Sequence, residues 1–467
     1  MTDLDAAGTP PLLRGSPFRA VALVGYPLAL AAIFQFGFNL TEVWVFGQVG
    51  DGGASLAGAA ASDIVTGIFA LLANGLGNAA VAEIAFAHGG GDALAVRRHT
   101  RQALVIGVAL SLLSVVVGLL AGPIGDVVMA DGETRVQGTA FLRIMALGGF
   151  GTIFVAIGIA VLRARGQTGG PLAVVAVMSL LTIGLEAVFV LGLFGAPKGG
   201  VVAAGVITVI LRGLGGGVLV WLIARRIPLR PPPGERFVHA AALRKQLRLG
   251  LASAMQQSVR LVGFLVLLAI VADRYATATG NPTYTAVNVW IKLDLPTLIL
   301  AFAWGGGTAP VVGMALGAGR RRFAGRAAWS GVLYAVLTSL VTMTTMLVFA
   351  GALAAAFIPD DPAAVVATDA IYAYAAPAYA FVVTGIVIAM AFNGAGNMRA
   401  PLVWDVAILL VFQGALAFAF ARPGAGGADV AGLGAVIFAT GALQGVVPAL
   451  VLRLARWHRA TSDHLTG

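Results

Sequence analysis

Apolar residues in this chain come in runs of 20 or more, separated by short polar stretches that carry most of the charge. A bilayer core about 30 Å thick needs about 20 apolar residues in helical form, so each run is long enough to be a membrane span. The pattern predicts twelve spans, at 18–47, 54–86, 102–122, 137–162, 171–195, 199–224, 249–272, 283–317, 327–357, 370–394, 401–421 and 430–452. Composition removes the alternative of two or three soluble domains. Of the 467 residues, 59% are hydrophobic and 11% charged, against about 25% charged in soluble domains. The predicted fold class is an all-α polytopic membrane protein.

The net charge of +10 would suit a nucleic-acid binder, but its distribution points to topology. With both termini placed in the cytoplasm, 22 of the 30 basic residues fall in the termini or inside loops. They include Arg97, Arg98 and Arg101, Arg163 and Arg165, seven residues from Arg225 to Arg248, and Arg320, Arg321, Arg322 and Arg326. Outside loops take Arg135, Lys198, Arg274 and Arg422. That asymmetry is the positive-inside rule, and no nucleic-acid partner is implied. Residues 1–17 are short and polar, so span 1 is expected to be a retained helix and not a cleaved leader. With no cysteine, disulfides, thiolate catalysis and cysteine-ligated metals are excluded.

The connection 225–248, interrupted by Pro231, Pro232 and Pro233, divides the chain into six spans plus six, an N-lobe at 1–235 and a C-lobe at 236–467. Two pairs of segments support an internal repeat at an offset of 230. GQTGGPL at 166–172 matches GNMRAPL at 396–402, and GNAAVA at 77–82 matches GTAPVV at 307–312. Six spans per repeat give both halves the same orientation, related by a pseudo-two-fold axis along the membrane normal.

Ionisable groups inside spans cost about 3 kcal/mol or more, which makes each a functional candidate. Glu42 and Glu186 lie in the outer halves of spans 1 and 5, roughly 8 and 13 Å below the outer surface at 1.5 Å per residue. Two carboxyls sharing such a pocket cannot both be charged cheaply, so the pair is a place to hold a proton. Glu83 and Asp405, near the inner ends of their spans, are read as ion pairs with Arg97, Arg98 and Arg399. Asp63 fits either a local hydrogen-bonding role or a site role.

In the second half, Arg260 falls mid-span in span 7, and Lys292 and Asp294 lie in span 8 just before Pro296. Two readings stand: a broken, hydrated stretch lining a cavity, or a buried Arg260–Asp294 pair that fixes packing. Gln256 and Gln257 add polar surface one turn from Arg260, and Phe34, Phe38, Trp44, Trp290 and Trp304 are candidate apolar lining. Enzyme patterns are missing. His88, His99, His239, His458 and His464 all read as loop or tail residues, no Walker lysine follows a glycine-rich loop, and Asp360, Asp361 and Asp369 read as solvated surface.

These features resemble the MATE (multidrug and toxic compound extrusion) transporters over all twelve spans. Span 1, with Pro27 and FNLTEVWVFGQVG, is similar to the family's proline-started helix ending in Asn-Leu-x-Asp. Gly307–Gly319 followed by Arg320 looks like the glycine-rich end of its span 8, and RARGQTGGP and FNGAGNMRAP look like its two repeat-related crossings. The resemblance implies a cation-coupling site at Glu42, Glu186, Thr182 and Asn39, with Glu42 and Glu186 on aspartate positions of the DinF-like branch and Thr182 on an asparagine. Where the NorM-like branch has a span 7 glutamate and a span 10 aspartate linked to sodium coupling, span 7 here offers Gln256, Gln257 and Arg260 and span 10 has no acid deeper than Asp369, which favours protons over sodium. A substrate cavity would draw on Gln35, Phe38, Gln256, Gln257, Arg260, Lys292 and Asp294.

What this implies is a secondary transporter, not an enzyme: a proton-coupled antiporter exporting amphipathic small molecules by alternating access. A flippase for lipid-linked saccharides is the alternative, kept open by Arg260 and Lys292. The resemblance implies no organic cofactor or metal, with H+ as coupling ion and Na+ as its rival. It implies membrane lipids and a small substrate as partners, a monomer, and a place in the inner or plasma membrane.

Overall fold

The computed structural model describes residues 10–49, 51, 53–130, 132–276, 280–421 and 430–454. Arg422, Arg456, Arg459, His458 and His464 lie outside the described residues. Apolar length alone dictates the architecture, because a segment in lipid must satisfy its backbone hydrogen bonds internally. In chain order the helices are α1 (Pro17–Gly47), α2 (Ala54–Gly89), α3 (Ala93–Leu119), α4 (Ala121–Val128), α5 (Glu133–Leu147), α6 (Gly149–Arg163), α7 (Gly169–Leu191) and α8 (Gly200–Arg226). After the central connection come α9 (Ala240–Arg274), α10 (Pro282–Gly317), α11 (Arg321–Phe357), α12 (Pro362–Gly394), α13 (Arg399–Asp405), α14 (Gln413–Phe420) and α15 (Ala431–Leu454). Among the described residues, eleven helical segments are long and apolar enough to cross a membrane, and α5 with α6, bent by 49°, makes up a twelfth if the pair is one span.

Predicted span 4 is therefore two helices, broken at Gly148, where a Cβ would collide with Val209. Predicted span 8 is the opposite case. It runs unbroken through Pro296 and Pro310, since membrane helices tolerate proline where neighbours and local adjustment meet the freed carbonyl. Span 11 is continuous, but α13 and α14 are joined by a π-helical segment at Val406–Phe412. His88 and His99 are helical, in α2 and α3, not loop residues. His239 precedes α9, and its Nδ1 accepts the Ala242 N–H at 3.3 Å. Asp361 is likewise a cap, accepting from the Ala364 N–H at 2.9 Å where α12 begins.

The internal repeat is written into the helix ends. At the end of α2 the Asp92 N–H reaches the Ala87 carbonyl at 2.9 Å and the Gly91 N–H reaches His88 at 3.2 Å. At the end of α10 Arg320 reaches Ala315 at 2.7 Å and Gly319 reaches Leu316 at 3.0 Å. The same pattern closes α6, through Gln167 to Leu162 and Gly166 to Arg163, and α12, through Asn397 to Phe392 and Gly396 to Asn393. Each is a Schellman turn, and each left-handed position is glycine: Gly91, Gly166, Gly319 and Gly396, with φ of 76°, 73°, 72° and 77°.

The chain folds as two compact units. One contains Pro27–Ala254, the other Gly15–Tyr26 with the described residues from Met255 onward. The changeover in α1 falls at Pro27, and in α9 beside the close approach of Gly75 to Gly250 and Ala254. In the first unit Phe46, Phe141, Met145, Val190 and Val201 form a core. In the second, Trp290, Tyr372 and Tyr379 lie among small and β-branched residues of α9, α10, α12 and α15, and Phe18 at the start of α1 stacks on Tyr334 with ring centroids 4.3 Å apart.

The loop between the halves is shorter than the sequence suggests, because α8 extends to Arg226 and α9 already begins at Ala240. It is clamped onto α3. Glu235 Oε1 lies 2.6 Å from Arg98 Nε and 3.0 Å from Arg101 Nη2, and Gln102 Nε2 donates to the Phe237 carbonyl at 3.2 Å. The Arg98 guanidinium, seconded by Arg101, holds the Glu235 carboxyl below its usual value of 4.5. A depressed acid favours the clamped state above its ordinary value and loses that contribution as the pH falls through the lowered one. At neutral pH, Glu235→Gln is expected to release the loop, read as faster tryptic cleavage after Arg236. Unchanged cleavage would show that the clamp does not hold it.

Candidate functional site

In the first unit α1, α2, α7 and α8 bring four ionisable groups together. The structure ends α7 at Leu191, so Glu186 lies five residues from its helix end, as Glu42 does from Gly47. Glu186 is fully buried, and its Oε1 accepts a hydrogen bond from Thr208 Oγ1 at 3.2 Å. Its Oε2 is buried with no hydrogen-bond partner among the described residues. Glu42, half-buried, is close enough to act on Glu186 electrostatically, and Asp63 in turn acts on Glu42. Arg212, one turn beyond Thr208 on α8, exerts its charge on all three carboxylates.

Arg212 is held in place from two sides. Its Nη1 donates to Thr152 Oγ1 at 3.2 Å, and its guanidinium lies 5.9 Å from the centroid of the buried Phe38 ring. Three carboxylates facing one guanidinium in a low-dielectric setting leave an excess of negative charge. Such a cluster is relieved by taking up a proton or another cation.

Other predicted residues of this half lie at the edge of that cluster. Asn39 Oδ1 accepts from Gln35 Nε2 at 3.1 Å, one turn away on α1. Thr182 donates to the Met178 carbonyl of its own helix at 2.8 Å, so the hydroxyl that meets Glu186 is that of Thr208. Arg212 and Thr208 were missed by sequence reasoning. A signal existed, since an arginine inside span 6 is as costly as an acid there. Phe34 and Trp44 are exposed.

In the second unit Arg260 pairs with Asp405, not with Asp294. Its Nη2 lies 3.1 and 3.2 Å from the two carboxylate oxygens, and Nη1 donates to Gln444 Oε1 at 3.4 Å. Gln256 Nε2 donates to Asp405 Oδ2 at 3.0 Å and its Oε1 accepts from Asn393 Nδ2 at 3.3 Å. This corrects the expected Asp405–Arg399 pair. The two are six residues apart on a helix that turns about 100° per residue, so they point to different sides, and Arg399 is exposed. Glu83 likewise meets His99, at 3.2 Å, in place of Arg97 or Arg98, and Arg98 is taken by Glu235.

Asp294 is buried and hydrogen-bonded to Tyr379, whose hydroxyl also accepts the Trp290 indole N–H at 2.6 Å. Lys292, two residues earlier, is exposed; two residues amount to about 200° of helix, so it faces away from Asp294. Gln257 is half-buried on α9. Trp304 stacks on Tyr334 with centroids 4.6 Å apart.

Fold and site together define a polytopic helical membrane protein built as an internal repeat, with charged clusters buried in each half. The MatE family model matches residues 27–188 and again 254–418, one match in each half and well over half of the chain together. The chain belongs to the MatE family. It is 26% identical to "Probable multidrug resistance protein NorM" of Thermotoga maritima over 251 residues, 52% of this chain and 51% of that one. To the protein of the same description in Rhizobium meliloti it is 28% identical over 209 residues, covering 45% and 44%. The chain thus spans about half the length of the curated relatives it matches.

Solved structures agree in fold over nearly all of the chain. A crystal structure of a MATE mutant superimposes with a TM-score of 0.86 at 20% identity, over 98% of this chain and 100% of that one. A MOP superfamily transporter from Pyrococcus furiosus, described as having reverse polarity of its binding pocket, gives 0.82 at 19% identity over 99% of each chain.

Proposed function

We propose that the protein is a proton-coupled antiporter that exports amphipathic small molecules across the plasma membrane by alternating access, with both termini cytoplasmic. The observation that carries this reading is the cluster of Glu42, Asp63 and Glu186 around a single Arg212, with Glu186 fully buried. A proton arriving from outside neutralises Glu42 or Glu186, relaxes α1 and weakens the hold on substrate. Substrate arriving from inside favours the deprotonated cluster. Protonation shifts the equilibrium only by its differential affinity for the two conformations, so the carboxylates must meet different surroundings in each. The descriptions of the NorM relatives support multidrug export. Of the two residues that kept the flippase alternative open, Arg260 is answered by Asp405, and Lys292 is exposed.

Dye efflux from everted membrane vesicles under an imposed pH or sodium gradient tests the proposal, for the native protein and Glu42→Gln. Efflux driven by the pH gradient and lost in the variant is the expected result. Efflux driven by sodium alone would overturn proton coupling, and pH-driven efflux that survives the substitution would remove Glu42 from the mechanism.

A further inference from the structure

Asp294, a buried acid that the coupling scheme above leaves unused, lies on α10 in the second unit. Counted from Pro282 at 1.5 Å per residue, it sits about 18 Å along that helix, well inside the apolar layer. Its surroundings differ from those of the other acids inside the spans in one respect. Glu42, Asp63 and Glu186 share Arg212, Asp405 has Arg260, and Glu83 has His99. Among the described residues no cationic group acts on Asp294.

The groups around it are neutral. The Tyr379 hydroxyl, which accepts the Trp290 indole N–H at 2.6 Å, is left with its own hydrogen to donate to the carboxyl. The Tyr372 hydroxyl is turned to the Trp290 carbonyl at 3.4 Å, and Phe264 meets the Trp290 ring edge-on, with centroids 6.3 Å apart. Asp294 Oδ1 is buried with no hydrogen-bond partner among the described residues. An ionised carboxylate held by a single phenol would be a buried charge without a partner, which is the costliest arrangement a span can contain.

The helices that make this contact are also the ones built to bend beside it. Pro296 follows Asp294 by two residues within α10, and Pro377 precedes Tyr379 by two within α12. A proline inside a helix removes a backbone hydrogen bond and is the usual place for the helix to kink. Carboxyl and hydroxyl thus face each other across two helices, each weakened within a turn of the contact. Bending at either would part them and admit water, in which an aspartic acid ionises above about pH 4.

We propose that Asp294 is a second proton-exchanging carboxyl, neutral against Tyr379 in this packing and ionised when the second unit opens around it. Its use in coupling rests on the antiporter reading above; its existence as a proton site does not.

Infrared difference spectroscopy of the full chain in detergent, recorded against pH, tests this, because a protonated carboxyl has a C=O absorption that an ionised one lacks. A component that fades as the pH rises is expected in the native protein and should be missing in Asp294→Asn. Tyr379→Phe deletes only the donor. It should keep the component and move it to higher frequency, as a C=O stretch does on losing a hydrogen bond, a shift that a role in packing alone would not produce. If Asp294→Asn does not fold, that shift identifies the component instead. Glu186→Gln should leave it in place. No component lost in Asp294→Asn, and none shifted in Tyr379→Phe, would mean that the acid is ionised throughout. A component that persists to alkaline pH would make it a fixed neutral packing group. Either result would overturn the proposal, as would loss of the component on adding sodium at constant pH, since the site would then hold that cation. A component that titrates while no pH gradient drives dye efflux would uphold the proton site and overturn the antiporter reading instead.

Discussion

Asp405→Ala is expected to destabilise the second unit by about 3–5 kcal/mol, the usual consequence of stranding one partner of a buried ion pair. Arg260 would keep only Gln444 among the partners shown to meet its guanidinium, and Gln256 would lose the acceptor of its amide. Replacing both charges with apolar groups of similar volume, Arg260→Met with Asp405→Leu, should recover most of the loss. Unfolding midpoints in detergent decide the matter. A single substitution as mild as the double one would mean that the pair is effectively solvated and contributes little. The network also settles what Arg260 is available for: a guanidinium engaged on two sides is a poor lining for a cavity that accepts organic cations or lipid phosphates.

Glu186→Gln is the second large effect, and it concerns coupling. To swing a transporter from 1:99 to 99:1 between two conformations, the driving ion must prefer one of them about 10⁴-fold. Glutamine keeps the shape and the hydrogen bond from Thr208 but removes the titratable group. Efflux in the presence of a pH gradient is therefore expected to fall to the rate seen without one, while the protein stays folded and still binds dye. Thr208→Val, which deletes only the 3.2 Å hydrogen bond, should retain gradient-driven efflux. If Glu186→Gln remained fully coupled, the proton would have to be carried elsewhere, with Glu42 and Asp63 next in line.

Hydropathy predicted the span positions well because the bilayer imposes one strong constraint, apolar length. It missed what lies within a span. The break at Gly148 sits in a glycine-rich apolar stretch that reads like ordinary close packing, and the α-to-π change after Asp405 has no residue signature. Glu42 and Glu186 stood out as acids in apolar runs. Their surroundings did not, because whether Thr182 or Thr208 meets Glu186 depends on how α7 and α8 are rotated against each other. Sequence proximity misled for Asp405, whose partner is 145 residues away on α9 and not six away at Arg399. Glu83 failed in the same way: position along the chain indicated arginines, while the helix faces selected His99.

The π segment at Val406–Phe412 has a consequence for the phase of its span. A π turn is an α-helix with one residue too many, and each surplus residue rotates everything beyond it by about 100°. Asp405 on one flank meets Arg260, and Gln413 on the other donates to the Gly263 carbonyl at 3.1 Å. Both flanks thus address α9, across a turn wider than either. Shifting that wide turn along the helix would re-aim one flank while leaving the other in place. The π segment thus sets the rotational phase at which the two flanks of the span meet α9.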